Sequence, residues 1–332
     1  MNQVAKHAGV SRTTVSFVIN DVPNSNIPAE TQQRVWDAVN ELGYRPNAVA
    51  RNLRSQRTHT IGLISDSIAT TPYAGMMIQG AQEVAWGHEK LLLLVNTGGD
   101  QRMEHDAVEA LLERQVEGIL YASMYHREVT PPPTVYEVPT VLVDCFVADG
   151  SLPCVVPDEV GGGFAATELL IRAGRRHIAM INSQDPIPAT FGRYQGFRDA
   201  LLAAGLPFDE SLVLAAPGNQ PGGYAAAMRF LSQDDRPTAI FCFNDRVAMG
   251  AYLAAADLGL RIPDDLSIIG FDNQETIAAW LRPALTTMQL PHHAMGIWAA
   301  THLMQIISGT AQVKSQPVQH KLECPLVERS SV

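Results

Sequence analysis

Cysteine is scarce in this 332-residue chain, and the four present, Cys145, Cys154, Cys242 and Cys324, are scattered. That excludes a disulfide framework and the paired spacing of a structural metal site, and it predicts buried free thiols in a reducing compartment. The ten histidines add no metal-ligand spacing beyond the adjacent His292 and His293, so neither a metal nor a cofactor is expected. No basic-flanked apolar leader opens the sequence and no window approaches the ~18 apolar residues of a membrane span, so the chain reads as cytoplasmic with no membrane partner. A Gly-x-Ser-x-Gly elbow is missing. The Gly-rich "GGGFAATE" follows "CVVPDEV", a poor strand-turn entry to a dinucleotide fingerprint, so an enzyme is not expected.

Positive charge is also short: 24 Lys and Arg against 34 Asp and Glu leave a net charge of −10. The deficit is unevenly spread. Residues 1–57 carry seven basic against four acidic side chains, and the remainder 17 against 30. A basic head on an acidic body confines attraction for phosphate to one end of the chain.

That head is where the sequence is most informative. Val4, Ala5 and Ala8, a break at Gly9, then Val15, Val18 and Ile19 spell two short amphipathic helices around a tight turn, a helix-turn-helix. Ser11 is placed to cap the second helix. Arg12, Thr13, Ser16 and Phe17 then face outward together, as a helix in the DNA major groove requires. Arg12 and Thr13 are the candidate base readers, with Ser16, Asn20, Thr31 and Tyr44 as backbone contacts. Phe17 can touch a thymine methyl and cannot donate to guanine. A third helix is predicted from Pro28 to Leu42, ended by Gly43, its Val35, Ala38, Val39 and Leu42 closing a small core. Trp36 joins that core or faces outward. Met1 falls inside the first helix, so either the native start lies upstream or Asn2 serves as the cap. After Pro46, a segment capped by Asn47 reaches Ser55 and is too short to be a stable helix alone. Arg51, Arg54 and Arg57 in and beside it suit phosphate contact.

From Thr60 the texture changes to alternating strands and helices. "TIGLIS", "KLLLLVN", "GILYAS" and "TVLVDC" read as buried strands, and after Pro157 the pattern restarts with "HIAMIN", "LVLAA", "TAIFCFN" and "LSIIGFD". Near-continuous apolar strands alternating with amphipathic helices mean an α/β fold of parallel sheets flanked by helices, and two such runs mean two lobes with a cleft between them. Ligands in such folds sit beyond the carboxyl ends of the strands, where Asp66, Asp144, Asn244, Asp245 and Asp272 fall. Arg193 opens a predicted helix that borders the cleft. Tyr73 and Phe146 are candidates to stack on an apolar sugar face.

"VAKHAGVSRTTVS", "RVWDAVNELGYRPN", "ARNLRSQRTHTIGLI" and "FNDRVAMGAYLAAADLGLRIPDDLSIIGFDN" together resemble the LacI/GalR family of bacterial transcription regulators along essentially the whole chain. The resemblance implies a helix-turn-helix head (1–45), a hinge helix or linker (46–58) and a periplasmic-binding-protein-like core (59–332). It implies three crossings between lobes, with lobe 1 at about 59–157 and 288–315 and lobe 2 at about 158–287 and 316–332. "LTTM" and the helix His292–Ile307 then return to lobe 1, and "HKLECPLVER" finishes lobe 2. By the same resemblance the hinge helices pair across a homodimer and push Leu53 into the minor groove of a near-palindromic double-stranded operator. Effector contacts carried over are Asp144, Arg193, Asn244 and Asp272, which suit a sugar or related polyol. The chain also departs from the family pattern. Phe17 and Gln32 stand where Arg is common, the loop "NDVPNSNIPAET" is long, and Asn219-Gln220-Pro221 replaces a Trp of some sugar-binding relatives. No heptad helix follows the core, so a dimer is expected. The implied function is a repressor switched by a small ligand. The alternatives are a purine- or nucleoside-responsive corepressor system and a periplasmic-type sugar-binding protein, the latter with no use for residues 1–57.

Overall fold

The computed structural model describes residues 1–20, 22, 25–45, 58–71, 74–311 and 317–332. It divides into two compact units, Met1–Thr58 and His59–Val332.

In the first unit, α1 (Asn2–Ala8) and α2 (Arg12–Ile19) meet at Gly9, whose φ of 67° is the left-handed conformation that the sharp turn demands. The Ser11 hydroxyl accepts from the Thr14 amide at 3.0 Å and so caps α2. The third helix, α3 (Ala29–Glu41), buries Val35, Ala38 and Val39 against Val4, Val15 and Val18. Two expectations need correction. Leu42 lies past the end of α3 and is 43% exposed, and Trp36 likewise faces outward. Asn2 is the first helical residue; Met1 stands at the cap position and supplies no side-chain bond.

The second unit contains two six-stranded sheets. Strands β1 (Thr60–Ser65), β2 (Leu91–Asn96), β3 (Ile119–Glu128), β4 (Thr140–Phe146) and β5 (Cys154–Pro157) build the first, with α4 (Gly75–Gly87) and α5 (Gln101–Glu113) between them. The second lobe follows as α6 (Glu159–Arg172), β6 (Ile178–Ser183), α7 (Pro188–Ala203), β7 (Val213–Ala216), α8 (Gln220–Leu231), β8 (Ala239–Cys242), α9 (Asp245–Asp257), β9 (Ser267–Asp272), α10 (Glu275–Ala278) and β10 (Thr286–Gln289). The chain then runs through α11 (His292–Ile307), β11 (Gln319–Leu322) and β12 (Leu326–Val327). Strand orders are β11-β5-β4-β3-β1-β2 and β12-β10-β9-β8-β6-β7. Every described pairing is parallel except β10 with β12. All four cysteines are buried free thiols.

The lobe limits shift from those expected. "LTTM" belongs to the second lobe, because β10 pairs with β9 from Thr286↔Ile269 to Gln289↔Asp272. Buried bonds hold it there, with the Thr286 amide donating to the Ser331 hydroxyl at 2.8 Å and the Thr287 hydroxyl to Asp245 at 2.6 Å. The chain returns to the first lobe only at α11, which packs on α4. The stretch "HKLECPLVER" is split: β11 extends the first sheet beside β5, and β12 extends the second.

Three helices, α6, α7 and α8, begin at caps ahead of their apolar stretches. The Asp158 carboxylate accepts from the Gly161 amide at 3.1 Å and the Asn219 side-chain carbonyl from the Gly222 amide at 3.0 Å, while Pro188 opens α7 without needing an amide. Glycines along these helices have a packing role. On α6 and α7, a Cβ at Gly163 would lie 2.5 Å from the Arg193 carbonyl oxygen, and one at Gly196 2.2 Å from that of Val160. The two helices therefore meet backbone to backbone, which brings Glu159 on one against Arg193 on the other.

Candidate functional site

Between the lobes, at the carboxyl ends of β3, β4, β6, β8 and β9, lies a cleft of about 560 Å³. Met124, Tyr125, His126 and Asp144 line it from the first lobe; Glu159, Ser183, Arg193, Asn219, Phe243, Asn244, Arg246 and Asp272 line it from the second. The volume lies within the range of small-molecule sites.

The first-lobe wall is made by an irregularity. Pairing of β3 with β4 runs to Ala122↔Val143 and resumes at Arg127↔Cys145, so four residues, Ser123–His126, stand against Asp144 alone. Asp144 absorbs the mismatch at a φ of 56°. Asp66 fixes the excursion and is itself saturated: Oδ1 accepts from the Ser67 and Met124 amides at 2.6 and 3.0 Å, and Oδ2 from the Ser123 hydroxyl at 3.1 Å and Arg127 at 3.2 Å. Asp144 is 2% exposed, and its Oδ1 and the Nδ1 of His126 have no hydrogen-bond partner among the described residues. Burial, reinforced by the charge of Glu159, pushes the Asp144 carboxyl well above the ordinary range. Burial holds the His126 imidazole below its usual range and so favours the neutral ring.

Arg193 is the centre of the second-lobe wall. It sits in the second turn of α7, not at its start, and is 3% exposed. Its Nε donates to Glu159 Oε2 at 2.7 Å and its Nη1 to the Phe243 carbonyl at 2.5 Å, with Asp272 Oδ1 at 3.6 Å. The guanidinium carbon lies 3.7 Å from the Phe271 ring centroid and 4.5 Å from that of Phe243. Burial alone would push the guanidinium down; the carboxylates of Glu159 and Asp272 outweigh it and hold it above the ordinary range. Asn244 borders the cleft while capping α9: its carbonyl oxygen accepts from the Val247 amide at 2.8 Å and its Nδ2 donates to Gly218 O at 3.1 Å. Asp245 instead turns into the core, where it accepts from the Gln274 amide and Thr287.

Asp272 ends β9 at a φ of 103°. Burial pushes its carboxyl up to about 6, against an opposing pull from Arg193. The folded state therefore binds more protons than the unfolded chain between about pH 4 and 6, and this group's contribution to stability falls as pH rises through that window. Burial lowers His292 to about 4, which acts in the opposite sense. The difference between two proteins isolates Asp272. Asp272→Asn, which tolerates positive φ, is expected to gain on the order of 1–3 kcal/mol over the wild type between pH 4 and 7, read from urea midpoints.

Of the predicted effector residues, Asp144, Arg193, Asn244 and Asp272 come together at the cleft. Phe146 does not. Its backbone pairs with Glu128 and its ring packs on the first-lobe core, meeting His126 edge-on at 5.6 Å. Tyr73 lies outside the described residues. Glu159, Tyr125, His126, Ser183, Phe243 and Arg246 were not anticipated.

On the helix-turn-helix, Arg12 and Thr13 are exposed, Phe17 is 36% exposed, and all lie with Ser16 and Asn20 along one side of α2. The Asn20 side-chain Nδ2 donates to the Ser16 carbonyl at 2.5 Å and hydroxyl at 3.3 Å. Thr31 accepts from Arg34 at 3.3 Å, and Tyr44 packs at the edge of the small core. Asn47, Arg51, Leu53 and Arg54 lie outside the described residues.

A helix-turn-helix unit and a two-lobed binding core in one chain define a ligand-responsive DNA-binding regulator. Residues 1–47 match the family described as bacterial regulatory proteins, lacI family, and residues 58–329 match periplasmic binding proteins and sugar binding domain of LacI family. The chain belongs to the LacI family and is a DNA-binding transcriptional regulator rather than an enzyme. It is 34% identical over 333 residues to the HTH-type transcriptional regulator RegA of Clostridium saccharobutylicum, covering 100% of this chain and 98% of that one. It is 35% identical over 335 residues to the HTH-type transcriptional repressor PurR of Yersinia pestis bv. Antiqua, covering 100% and 96%. A solved complex of the regulator CelR with cellobiose superposes with a TM-score of 0.69 at 29% identity, covering 99% of this chain and 98% of that one. Among the described residues no helix is long and apolar enough to cross a membrane.

Proposed function

We propose that the chain is a cytoplasmic repressor that binds a near-palindromic operator as a homodimer and is switched by a sugar or related polyol in the interlobe cleft. The observation that carries the ligand class is the supply of acceptors at the cleft floor: Asp144, with an oxygen unpartnered among the described residues, stands with Glu159 and Asp272 around Arg193. Carboxylates accept from pairs of hydroxyls, which polyols present in abundance. A purine corepressor is the second reading, favoured by the similarity to PurR and by the Phe243 ring at the cleft wall. At the DNA end, Arg12, Thr13 and Phe17 read bases, and Ser16, Asn20, Thr31 and Tyr44 contact the backbone. Asn47, Arg51, Leu53 and Arg54 belong to a hinge that engages the operator.

The test is operator affinity by fluorescence anisotropy at fixed salt, with DNA obtained by in vitro selection and titrated against sugars and nucleobases. A sugar that changes affinity supports the reading, and its sign separates induction from corepression. A response to nucleobases alone sinks it. In the same assay Arg12→Ala is expected to cost ~1–3 kcal/mol and relax base choice at one position of each half-site.

A further inference from the structure

Arg193 is the buried cation of the cleft, and its side chain is largely committed within the protein. Nε is bonded to Glu159 and Nη1 to the Phe243 carbonyl, and the Phe271 and Phe243 rings lie 3.7 and 4.5 Å from the guanidinium carbon. Glu159 is 5% exposed and comes from the first turn of α6, where the glycine contact with α7 presses it onto Arg193. Asp272 is a second carboxylate on the same cation, and Asp144 reaches the same cleft from the other lobe. At the rim, Asp185 and the exposed Arg246 carry opposite charges, Arg246 also acting on Asp272, and His126 adds no fixed positive charge. The floor thus sets two carboxylates, Glu159 and Asp272, against one guanidinium, with the buried Asp144 beside them. An anionic ligand entering it meets like charge in a site that water screens poorly, while Asp144 Oδ1 remains ready for a donor.

We propose that Glu159 is a charge filter: by engaging Arg193 from within the protein it reserves the cleft for an uncharged polyhydroxyl effector and rejects the phosphorylated or carboxylated counterparts. This rests on the polyol reading above.

The test uses the full chain and matched probes: ribose with ribose 5-phosphate, glucose with glucose 6-phosphate and gluconate, and cellobiose, with affinity taken from thermal shifts across a concentration series. In the wild type a neutral probe is expected to bind more tightly than its anionic partner. Glu159→Gln keeps an acceptor for Arg193 Nε and removes the charge, and it is expected to narrow that preference by about tenfold or more. Glu159→Asp, which keeps the charge, retains it. An anionic probe that outbinds its neutral partner on the wild type overturns the filter alone, and this comparison holds whether or not the glutamine variant folds. An unchanged preference in a folded Glu159→Gln protein overturns the role of Glu159. Binding of no probe of either charge overturns the polyol reading and the filter with it.

Discussion

Arg193→Ala is expected to lower the stability of the effector core by about 3–5 kcal/mol, the cost of removing one partner from a buried ion pair. The loss comes mainly from what remains. Glu159 at 5% exposure and Asp272 at 9% would be left without the cation that offsets their burial. Urea unfolding of the core, followed by intrinsic fluorescence, measures the deficit. Its pH dependence identifies the cause: the deficit shrinks as pH is lowered and the stranded carboxylates take protons. Arg193→Lys recovers only part of the loss, since an ammonium cannot reproduce the planar fork or lie flat between Phe271 and Phe243. Loss of stability without this acid rescue would mean that packing, not charge, is what Arg193 supplies.

Gly196→Ala is expected to cost about 1–3 kcal/mol and to weaken effector response with it. The added methyl carbon would stand 2.2 Å from the Val160 carbonyl oxygen and 2.4 Å from the Phe164 amide nitrogen. Both belong to helix backbone, so relief requires α6 and α7 to separate. Glu159 and Arg193 flank that contact, and separation lengthens their 2.7 Å bond. Gly87→Ala is the control. Its methyl meets nothing within 4 Å, so stability is expected to stay level or rise slightly. Equal gains at both positions would show that helix propensity, rather than close approach, governs these glycines.

Much of this architecture is legible in the sequence, because continuous apolar runs and period-3.6 patterns report local burial and the Gly9–Ser11 turn reports its own geometry. Arg193, Asp144, Asn244 and Asp272 are legible through the resemblance. What escapes has a common cause. Glu159 stands in "CVVPDEV", ahead of the apolar pattern of its helix, and nothing local reveals that α7 sets an arginine against it. Tyr125 and His126 follow a strand that reads as ending at Ser123, whereas β3 continues to Glu128 through a bulge that only its pairing with β4 exposes. Glycine and proline at the heads of α6, α7 and α8 read as loop, although caps and backbone contact make them helical. The lobe assignment of "LTTM" fails for a related reason, since a four-residue strand carries no mark of the sheet it joins.

The split between β11 and β12 has a consequence for synthesis. The first sheet lacks its β11 edge until residues 319–322 emerge, although β5 is complete by residue 157. At ~5–20 residues per second, the ribosome holds that sheet unfinished for roughly 10 to 30 s, with β5 an unpaired edge throughout. The second sheet waits slightly longer for β12. A stop codon anywhere before residue 319 removes an edge strand from each sheet, so even truncations late in the coding sequence damage the effector core.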